Sequence, residues 1–358
     1  MDEQLIDILT HCKKLNASDV HLRAGKPPIY RVAGQLQIST SQEISEDTLI
    51  RFFKSTSSST INKILTRELD VDYSVSVPGV SRFRVNCFYQ SGSIALVFRQ
   101  IPFRLPTIDG LKIPKIVLDS IQRRSGLILF TGPTGSGKSS TIAAILQFIN
   151  KTYRTRIVTL EDPIEFLFKD EKSEFIQREL RRDFFNFPDA LRGTLRQDPN
   201  IIMVGEMRET ETVELALIAA ETGHLVISTL HASCASSAVA RILGVFPSEA
   251  RESIRNQLAS VLIGIIAQAL IPLQEDKNQR VAAREILLNN SAIANLIRSE
   301  KHDQIDSFLE TSSNQGMTTL NAALEELVLK RVISYSDSFA ASPDPEALLA
   351  RFERKGIR

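Results

Sequence analysis

The sequence has no tryptophan, only three cysteines and no surplus of either charge. Among its 358 residues, 43 Lys and Arg stand against 42 Asp and Glu, so the formal net charge is +1. Proteins whose main partner is a nucleic acid usually carry a basic excess, so this balance disfavours that class without excluding a local basic groove. The cysteines lie far apart and form no CxxC pair, which argues against a disulfide framework and against a structural zinc site.

Long hydrophobic runs are also lacking. The most apolar segment, residues 258–273, is shorter than the roughly 20 residues that a membrane span needs, and it contains Gln268 and Pro272. The N-terminal sequence MDEQLIDILTHCKKLN is acidic and then amphipathic, without the basic start and apolar core of a secretion signal. We therefore expect no membrane insertion and a cytoplasmic protein, and we predict that residues 258–273 form a buried helix.

Residues 1–100 predict a small α+β domain. An opening helix is followed by the strand-like segments PIYRVAG, VDYSVSV, SRFRVNCFYQ and SIALVFRQI. The last two segments alternate apolar and polar residues on either side of QSGS, which indicates a hairpin with one buried face. A linker is predicted at residues 101–114, where Pro102, Pro106 and Pro114 favour an extended backbone.

Residues 115–358 have a different pattern, in which short apolar strands alternate with helices. The strands LILF, RIVTL, NIIMVGEM and HLVIST are mostly apolar, as expected for a parallel sheet covered by helices on both faces. Beyond about residue 248, only helices are predicted. The predicted fold class is therefore α/β, with a nucleotide-binding domain at residues 115–358 whose C-terminal region, residues 248–358, is helical.

The stretch TGPTGSGKSS, residues 131–140, contains the pattern GxxxxGK[ST] between a predicted strand and a predicted helix. Its glycines permit turns that point backbone N–H groups at phosphates, and the helix adds its positive N-terminus. Lys138 is expected to contact the β- and γ-phosphates, and the Ser139 hydroxyl to ligate Mg²⁺. The predicted nucleotide-binding residues are Gly132, Pro133, Thr134, Gly135, Ser136, Gly137, Lys138, Ser139 and Ser140.

Three further strands end in residues suited to hydrolysis. RIVTL runs into Glu161, Asp162 and Glu165, IIMV into Glu206, and HLVIST into His231. Because ligands bind at the carboxyl ends of parallel strands, we expect these side chains around the phosphates. Carboxylates there can activate a water and hold the metal shell. Glu206 is predicted to contact the metal directly or through water, while the sequence does not choose the base among the three acids that follow RIVTL.

Together these motifs resemble those of a known family. GPTGSGKSS, VTLEDPIEF, LRQDPNIIMVGEMRETET and AAETGHLVISTLHA resemble, in order and spacing, the Walker A, Asp box, Walker B and His box of the secretion ATPase superfamily. ASDVHL near the N-terminus fits the same pattern. Over nearly its whole length, the chain is most similar to the type IV pilus retraction ATPases, the PilT family.

The resemblance implies a PAS-like N-terminal domain joined to a RecA-like domain in a homohexameric ring. It implies ATP and Mg²⁺ as ligands, in sites formed between neighbouring subunits. Arg84 and Arg99 match the family's arginine fingers, with Arg82 as a further candidate. The finger residues would then lie on the two strands of the predicted hairpin.

By the same resemblance, Glu165 is the catalytic acid of the Asp box, Glu206 the Walker B acid and His231 the His-box residue. The implied function is ATP hydrolysis that powers pilus retraction from the cytoplasmic face of the inner membrane. Its implied partners are the pilus platform protein and a paralogous pilus ATPase. The start at the PAS-like domain and the lack of a four-cysteine insert favour retraction over extension or type II secretion.

Two departures from the retraction pattern leave alternatives open. AIANLIRSE has Ala294 in place of arginine and the additional Ser299, and QDPNII has Asn200 where aspartate is usual. A PilU-like accessory paralogue or a type IVB secretion ATPase therefore remains an alternative. Two other classes are a regulatory nucleotide-binding module with little turnover and a nucleic-acid translocase, to which the net charge and the lack of tryptophan give no support.

Overall fold

A computed structural model describes residues 1–101 and 105–356 of the chain. Two compact units are present. The first contains Met1–Leu105, Glu161–Phe168 and Gln177–Asn186, and the second contains Pro106–Leu160, Lys169–Ile176 and Phe187–Arg358. Of the predicted linker at residues 101–114, Pro102 lies outside the described residues.

The first unit contains an antiparallel six-stranded sheet with helices. Its elements are α1 (Glu3–Lys14), β1 (Asp19–Arg23), β2 (Ile29–Val32), β3 (Gln35–Ile38), α2 (Glu46–Thr56), α3 (Ser59–Glu68), β4 (Asp70–Val77), β5 (Ser81–Gln90) and β6 (Ser93–Ile101). The strand order is β3-β2-β1-β6-β5-β4. The α+β class predicted for residues 1–100 is confirmed.

The hairpin of β5 and β6 shows why the N-terminal segments form strands. The two strands are joined by Ser91 and Gly92, and Gln90 pairs with Ser93. Alternate residues of β5, including Phe83 and Val85, are buried in a core that also contains residues of α1, α2 and α3. The alternation seen in the sequence thus places one face of the sheet on that core.

The remaining elements belong to residues 106–356. They are α4 (Lys115–Ser120), β7 (Gly126–Thr131), α5 (Lys138–Thr152), β8 (Arg156–Glu161), β9 (Glu174–Glu179), α6 (Phe187–Thr194), β10 (Ile201–Val204), α7 (Thr210–Glu221), β11 (Leu225–Leu230), α8 (Ala235–Gly244), α9 (Ser248–Val261), β12 (Leu262–Pro272), β13 (Arg280–Leu288), α10 (Ser291–Arg298), α11 (Ile305–Thr311), α12 (Leu320–Leu329), α13 (Tyr335–Ala341) and α14 (Pro345–Arg354).

The second sheet has seven strands in the order β13-β12-β7-β11-β10-β8-β9. Strands β12, β7, β11, β10 and β8 pair in parallel, and β13 pairs antiparallel to β12. Every residue of β7, β10 and β11 is buried. Because these three strands are parallel, their carboxyl ends lie at one edge of the sheet, as the sequence predicted for an α/β fold.

The C-terminal region differs from the prediction. Residues 262–272 and 280–288 are the strands β12 and β13, so the helix predicted for residues 258–273 and the all-helical region predicted beyond residue 248 are wrong there. A strand buried on both faces loses its alternation, and a short apolar run then has no period that separates it from a buried helix. Within the described ranges 1–101 and 105–356, none of the helices combines the length and apolarity that a membrane span requires.

Candidate nucleotide-binding site

The predicted phosphate-binding loop connects β7 to α5. Gly137, the residue before α5, has a φ of 88°, a left-handed conformation that glycine adopts at little cost. Pro133, Thr134 and Gly135 are exposed at the tip of the loop, and Ser139 and Ser140 are half-buried in the first turn of α5. The loop thus presents exposed backbone next to the N-terminus of a 15-residue helix, an arrangement suited to an anion.

Lys138 is buried and lies within this loop. Its Nζ donates hydrogen bonds to the carbonyl oxygens of Gly132 at 2.8 Å and Pro133 at 3.0 Å. The ammonium is therefore positioned by the loop's own backbone. A cation at this place can contact phosphate oxygens held by the surrounding N–H groups.

Glu206 follows β10 and lies between two basic side chains. Its Oε2 is 2.7 Å from Arg208 Nη2, and its Oε1 is 3.3 Å from His231 Nε2. Burial raises the pKa of Glu206, but the hydrogen bond from Arg208 and the charges of His231, Arg208 and Lys138 outweigh this effect and leave the pKa below its usual value. Glu206 is therefore ionised at neutral pH, which suits a ligand of Mg²⁺.

His231 follows β11, the strand between β7 and β10. Its carbonyl oxygen accepts a hydrogen bond from Arg241 Nη1 at 2.9 Å. The next residue, Ala232, is tied to the end of β7 by two bonds, because Thr131 Oγ1 donates to its carbonyl at 2.6 Å and accepts from its N–H at 3.0 Å. The structure thus brings together three of the predicted site residues, Lys138, Glu206 and His231, at the carboxyl edge of the sheet.

Glu161, the last residue of β8, and the acids that follow it belong to the first unit. Glu161 is buried, and its Oε1 accepts a hydrogen bond from Gln177 Nε2 at 3.2 Å. Asp162 is exposed and Glu165 is half-buried in the following segment. The contacts of Glu161 favour a positioning role for it, and the half-buried Glu165 is more accessible than Glu161.

Arg84 and Arg99 lie directly opposite each other on β5 and β6. Arg84 Nη2 is 3.2 Å from Asp72 Oδ2, and Arg99 Nε is 2.8 Å from Asp19 Oδ1. Burial raises the pKa of Asp19, but hydrogen bonds from Arg99 and Ser18 hold it below the usual value. Like charges directly opposite in a sheet are unfavourable, and the carboxylates of Asp72 and Asp19 offset that cost here.

Arg82, the further finger candidate, has a different environment. Its side chain is only 8% exposed, with Nη2 2.7 Å from Glu179 Oε2. Its Nε donates to the carbonyl of Ile164 at 3.2 Å. Arg82 is therefore bound inside the first unit and is unsuited to reach a nucleotide on another subunit.

Two residues of the site were missed by the sequence interpretation. Arg208 stands two residues after Glu206, and its position within the Walker B stretch was the available signal. Gln268 on β12 donates to the loop carbonyl of Ser136 at 2.7 Å. Its segment was interpreted as a helix, which gave no reason to bring it to the loop.

The parallel sheet, the glycine-containing loop before α5 and the ionised acid after β10 define a P-loop nucleotide-binding protein. A family profile described as type II/IV secretion system protein matches residues 2–332. The chain belongs to this family.

Named relatives refine the comparison. The chain is 41% identical over 342 residues to the type IV pilus retraction ATPase PilT of Pseudomonas aeruginosa. The aligned region covers 96% of this chain and 99% of that protein. It is 35% identical over 323 residues to the type IV pilus ATPase PilU of the same organism, covering 90% of this chain and 84% of that protein. The predictions of a PilT-family resemblance and of an ATPase are confirmed.

A solved structure agrees with these relatives. The fold is similar to a crystal structure of the pilus retraction motor PilT with bound ADP, with a TM-score of 0.89 and 43% sequence identity. The match covers 97% of this chain and 99% of that one. The predicted fold class is confirmed by this similarity.

Proposed function

We propose that the protein is an ATP-hydrolysing motor that powers the retraction of type IV pili. The observation that carries hydrolysis is Glu206, an ionised acid held 2.7 Å from Arg208 and 3.3 Å from His231 beside the phosphate-binding loop. The direction of movement is supported by the 41% identity to PilT over 99% of that protein, against 35% to PilU of the same organism.

The residues of the loop fit a nucleoside triphosphate. In the proposed complex, residues 132–140 surround the phosphates and Lys138 contacts the β- and γ-phosphates. Ser139 and Glu206 hold Mg²⁺, which when bound neutralises charge on the phosphates. His231 contacts the γ-phosphate from the adjacent strand end.

The attacking water is assigned to the acids at the end of β8 and in the segment that follows it. Glu165, half-buried and accessible, positions or deprotonates the water, and Glu161 supports that segment through its contact with Gln177. A carboxylate in this role needs only hydrogen-bond reach of the water. The assignment follows the Asp-box resemblance together with the different environments of the two side chains.

Arg84 and Arg99 are proposed to act on the nucleotide of a neighbouring subunit in a homohexamer. Their opposed placement, with the Arg99 side chain 67% exposed, supports this role. An arginine finger contributes about 10³–10⁵ in rate, so turnover would depend on ring assembly. We further propose that the ring works at the cytoplasmic face of the inner membrane, on the pilus platform protein and beside a paralogous pilus ATPase, without nucleic acid.

The function is tested in the host and with purified protein. Deletion of the gene should abolish pilus retraction while pili still assemble. Complementation with wild type should restore retraction, and complementation with Lys138→Ala should not. Purified wild type should hydrolyse ATP and Lys138→Ala should not. Loss of pilus assembly, or no pilus phenotype, would overturn the retraction role, and wild-type turnover no higher than that of Lys138→Ala would overturn hydrolysis.

A further inference from the structure

Gln268 is a buried amide that connects three elements around the phosphate-binding loop. From β12, its Nε2 donates to the carbonyl of Ser136 in the loop at 2.7 Å. Its Oε1 accepts from Thr141 Oγ1 on α5 at 2.9 Å and from Arg284 Nε on β13 at 3.2 Å. One side chain thus contacts the loop, the helix that follows it and the neighbouring strand.

The orientation of this amide is fixed by its partners. Arg284 has only donor groups, so the atom of Gln268 that faces it must be the oxygen. The amide nitrogen then faces Ser136 and can only donate to its carbonyl. Arg284 and the Ser136 carbonyl therefore select the same orientation of the Gln268 amide.

The loop also packs closely against residue 268. A Cβ added at Gly132 would lie 2.3 Å from the carbonyl oxygen of Gln268, and one added at Gly137 would lie 2.8 Å from its Nε2. At Gly132 the contact is with backbone and leaves no room for a side chain, and at Gly137 the Gln268 amide would have to move. A displacement of Gln268 would consequently be felt directly by the backbone of the loop.

Arg284 extends the connection to a second segment. Its Nη1 donates to the carbonyl of Lys112 at 3.2 Å and its Nη2 to that of Leu111 at 3.0 Å. The side chain is buried, and its three acceptors, including Gln268, are uncharged. Burying a cation against neutral acceptors is costly, so a gain in core stability alone explains this arrangement poorly.

The segment that Arg284 holds is a compact turn at residues 107–113. The N–H of Ile113 donates to the carbonyl of Ile108 at 3.0 Å, which closes the turn. In the chain, this turn follows shortly after Leu105, where the N-terminal part of the first unit ends.

We propose that Arg284 and Gln268 are positioning residues that couple the turn at residues 107–113 to the phosphate-binding loop. The turn fixes Arg284, Arg284 orients Gln268, and Gln268 holds the Ser136 carbonyl. A shift of the turn weakens the hold on the loop and lowers nucleotide affinity, and a bound nucleotide in return steadies the turn, because coupling between two sites is reciprocal. The inference rests on the proposed nucleotide site and adds its regulation.

The first test uses the fluorescent N-methylanthraniloyl derivative of ADP and the full-length protein. Gln268→Glu keeps the shape and a partner for Arg284 but cannot donate to Ser136, so we expect binding about tenfold weaker with thermal unfolding close to that of wild type. Arg280→Met, at the exposed start of β13, is the control for Arg284→Met and should leave affinity unchanged. Unchanged affinity in both Gln268→Glu and Arg284→Met would overturn the proposal.

A double-mutant cycle separates coupling from general destabilisation. If Arg284 acts through Gln268, Gln268→Ala combined with Arg284→Met should bind no more weakly, within about twofold, than Gln268→Ala alone. Fully additive losses would overturn the proposal. Should Gln268→Ala fail to fold, Gln268→Met, which has a similar length and no amide to bind Arg284 or Ser136, replaces it in the same cycle.

Hydrogen exchange tests the reciprocal direction. ADP should slow amide exchange at residues 107–113 in wild type and in Arg280→Met, and this protection should be lost in Arg284→Met at saturating ADP. Protection that persists in Arg284→Met would overturn the coupling. An inactive wild type would overturn the proposed function instead, whereas an active wild type with unaffected variants would overturn only this inference.

Discussion

Glu206 is held in its ionised form by neighbours that come from different parts of the sheet edge. Arg208 lies on the same loop, while His231 arrives from the end of β11 and Lys138 from the start of α5. A carboxylate fixed in this way can hold a metal shell without first losing a proton. The arrangement makes the charge of Glu206, rather than its shape, the property to test.

Replacing Glu206 by glutamine preserves the shape and removes the charge. We expect Glu206→Gln to lower kcat by about 10² or more while ADP affinity changes little, because the lost interaction is made mainly during hydrolysis. Steady-state ATPase kinetics and ADP titration measure both quantities. Glu209→Gln, an exposed residue three positions along, is the matched control. A variant at 206 with wild-type kcat would show that the charge is not needed.

At the level of elements, Glu285 on β13 connects two helix N-termini. Its Oε1 accepts from the N–H of Ala235 at 2.6 Å and its Oε2 from that of Leu320 at 3.2 Å, the first residues of α8 and α12. Burial raises the pKa of Glu285 to about 7, the two N–H groups lower it, and the charges of Asp306 and Glu310 raise it further. The folded protein therefore binds a proton here that the unfolded chain releases above its ordinary pKa of 4.5.

This raised pKa predicts a pH dependence of stability. Because the folded-state pKa lies above the unfolded one, the contribution is fully present below pH 4.5 and is lost as the pH rises through about 7. Up to about 3 kcal/mol of the free energy of unfolding depends on this proton, and Glu285→Gln should remove that pH dependence. In denaturant unfolding, the free energy of unfolding should therefore decline less between pH 5.5 and pH 8 in the variant than in wild type. Equal declines would contradict the assignment.

Strands β7, β10 and β11 could be predicted from sequence because each is a short apolar run that is followed by a glycine or a polar residue. Strand β7 leads to the loop, β10 to Glu206 and β11 to His231, and the structure places all three as expected. Strand β12 could not be predicted by the same reasoning, since its apolar run has no visible period. Its β-branched residues Ile263, Ile265 and Ile266 were the remaining signal for a strand.

Side-chain partners were less predictable than strand ends. The contact between Gln268 and Ser136 joins positions 132 residues apart and depends on β12 lying beside β7. Arg82 and Arg84 stand two residues apart on one strand, yet one is buried against Glu179 and the other is half-exposed. Strand periodicity places both side chains on the same face of the sheet. Only the contacts of Arg82 with Glu179 and with the carbonyl of Ile164 distinguish their roles.

At the scale of the whole molecule, the proposed ring predicts that two inactive variants complement each other when their subunits are mixed. Arg99→Ala should lower kcat by about 10³ or more in the pure protein while leaving ADP binding intact. Mixed with Lys138→Ala, which keeps its arginines, it should regain activity, because some interfaces then combine an intact loop with an intact Arg99. ATPase rates of mixtures at several ratios measure this.

The control for the mixing experiment is Arg23→Ala, an exposed arginine at the end of β1. It should hydrolyse ATP like wild type and gain nothing from mixing. A mixture of the two inactive variants that stays inactive at every ratio, although the subunits exchange, would show that Arg99 does not act across a subunit boundary.

The two hydrogen bonds between Thr131 and Ala232 restrict the choice of residue more strongly at position 131 than at position 232. Residue 131 contributes a hydroxyl that both donates and accepts, so valine, its closest match in shape, would break both bonds at once. Residue 232 contributes only its backbone and tolerates any side chain that fits, proline excepted because it has no N–H. The two hydrogen bonds that join the end of β7 to the segment after β11 therefore constrain the side chain at position 131 but only the backbone at position 232.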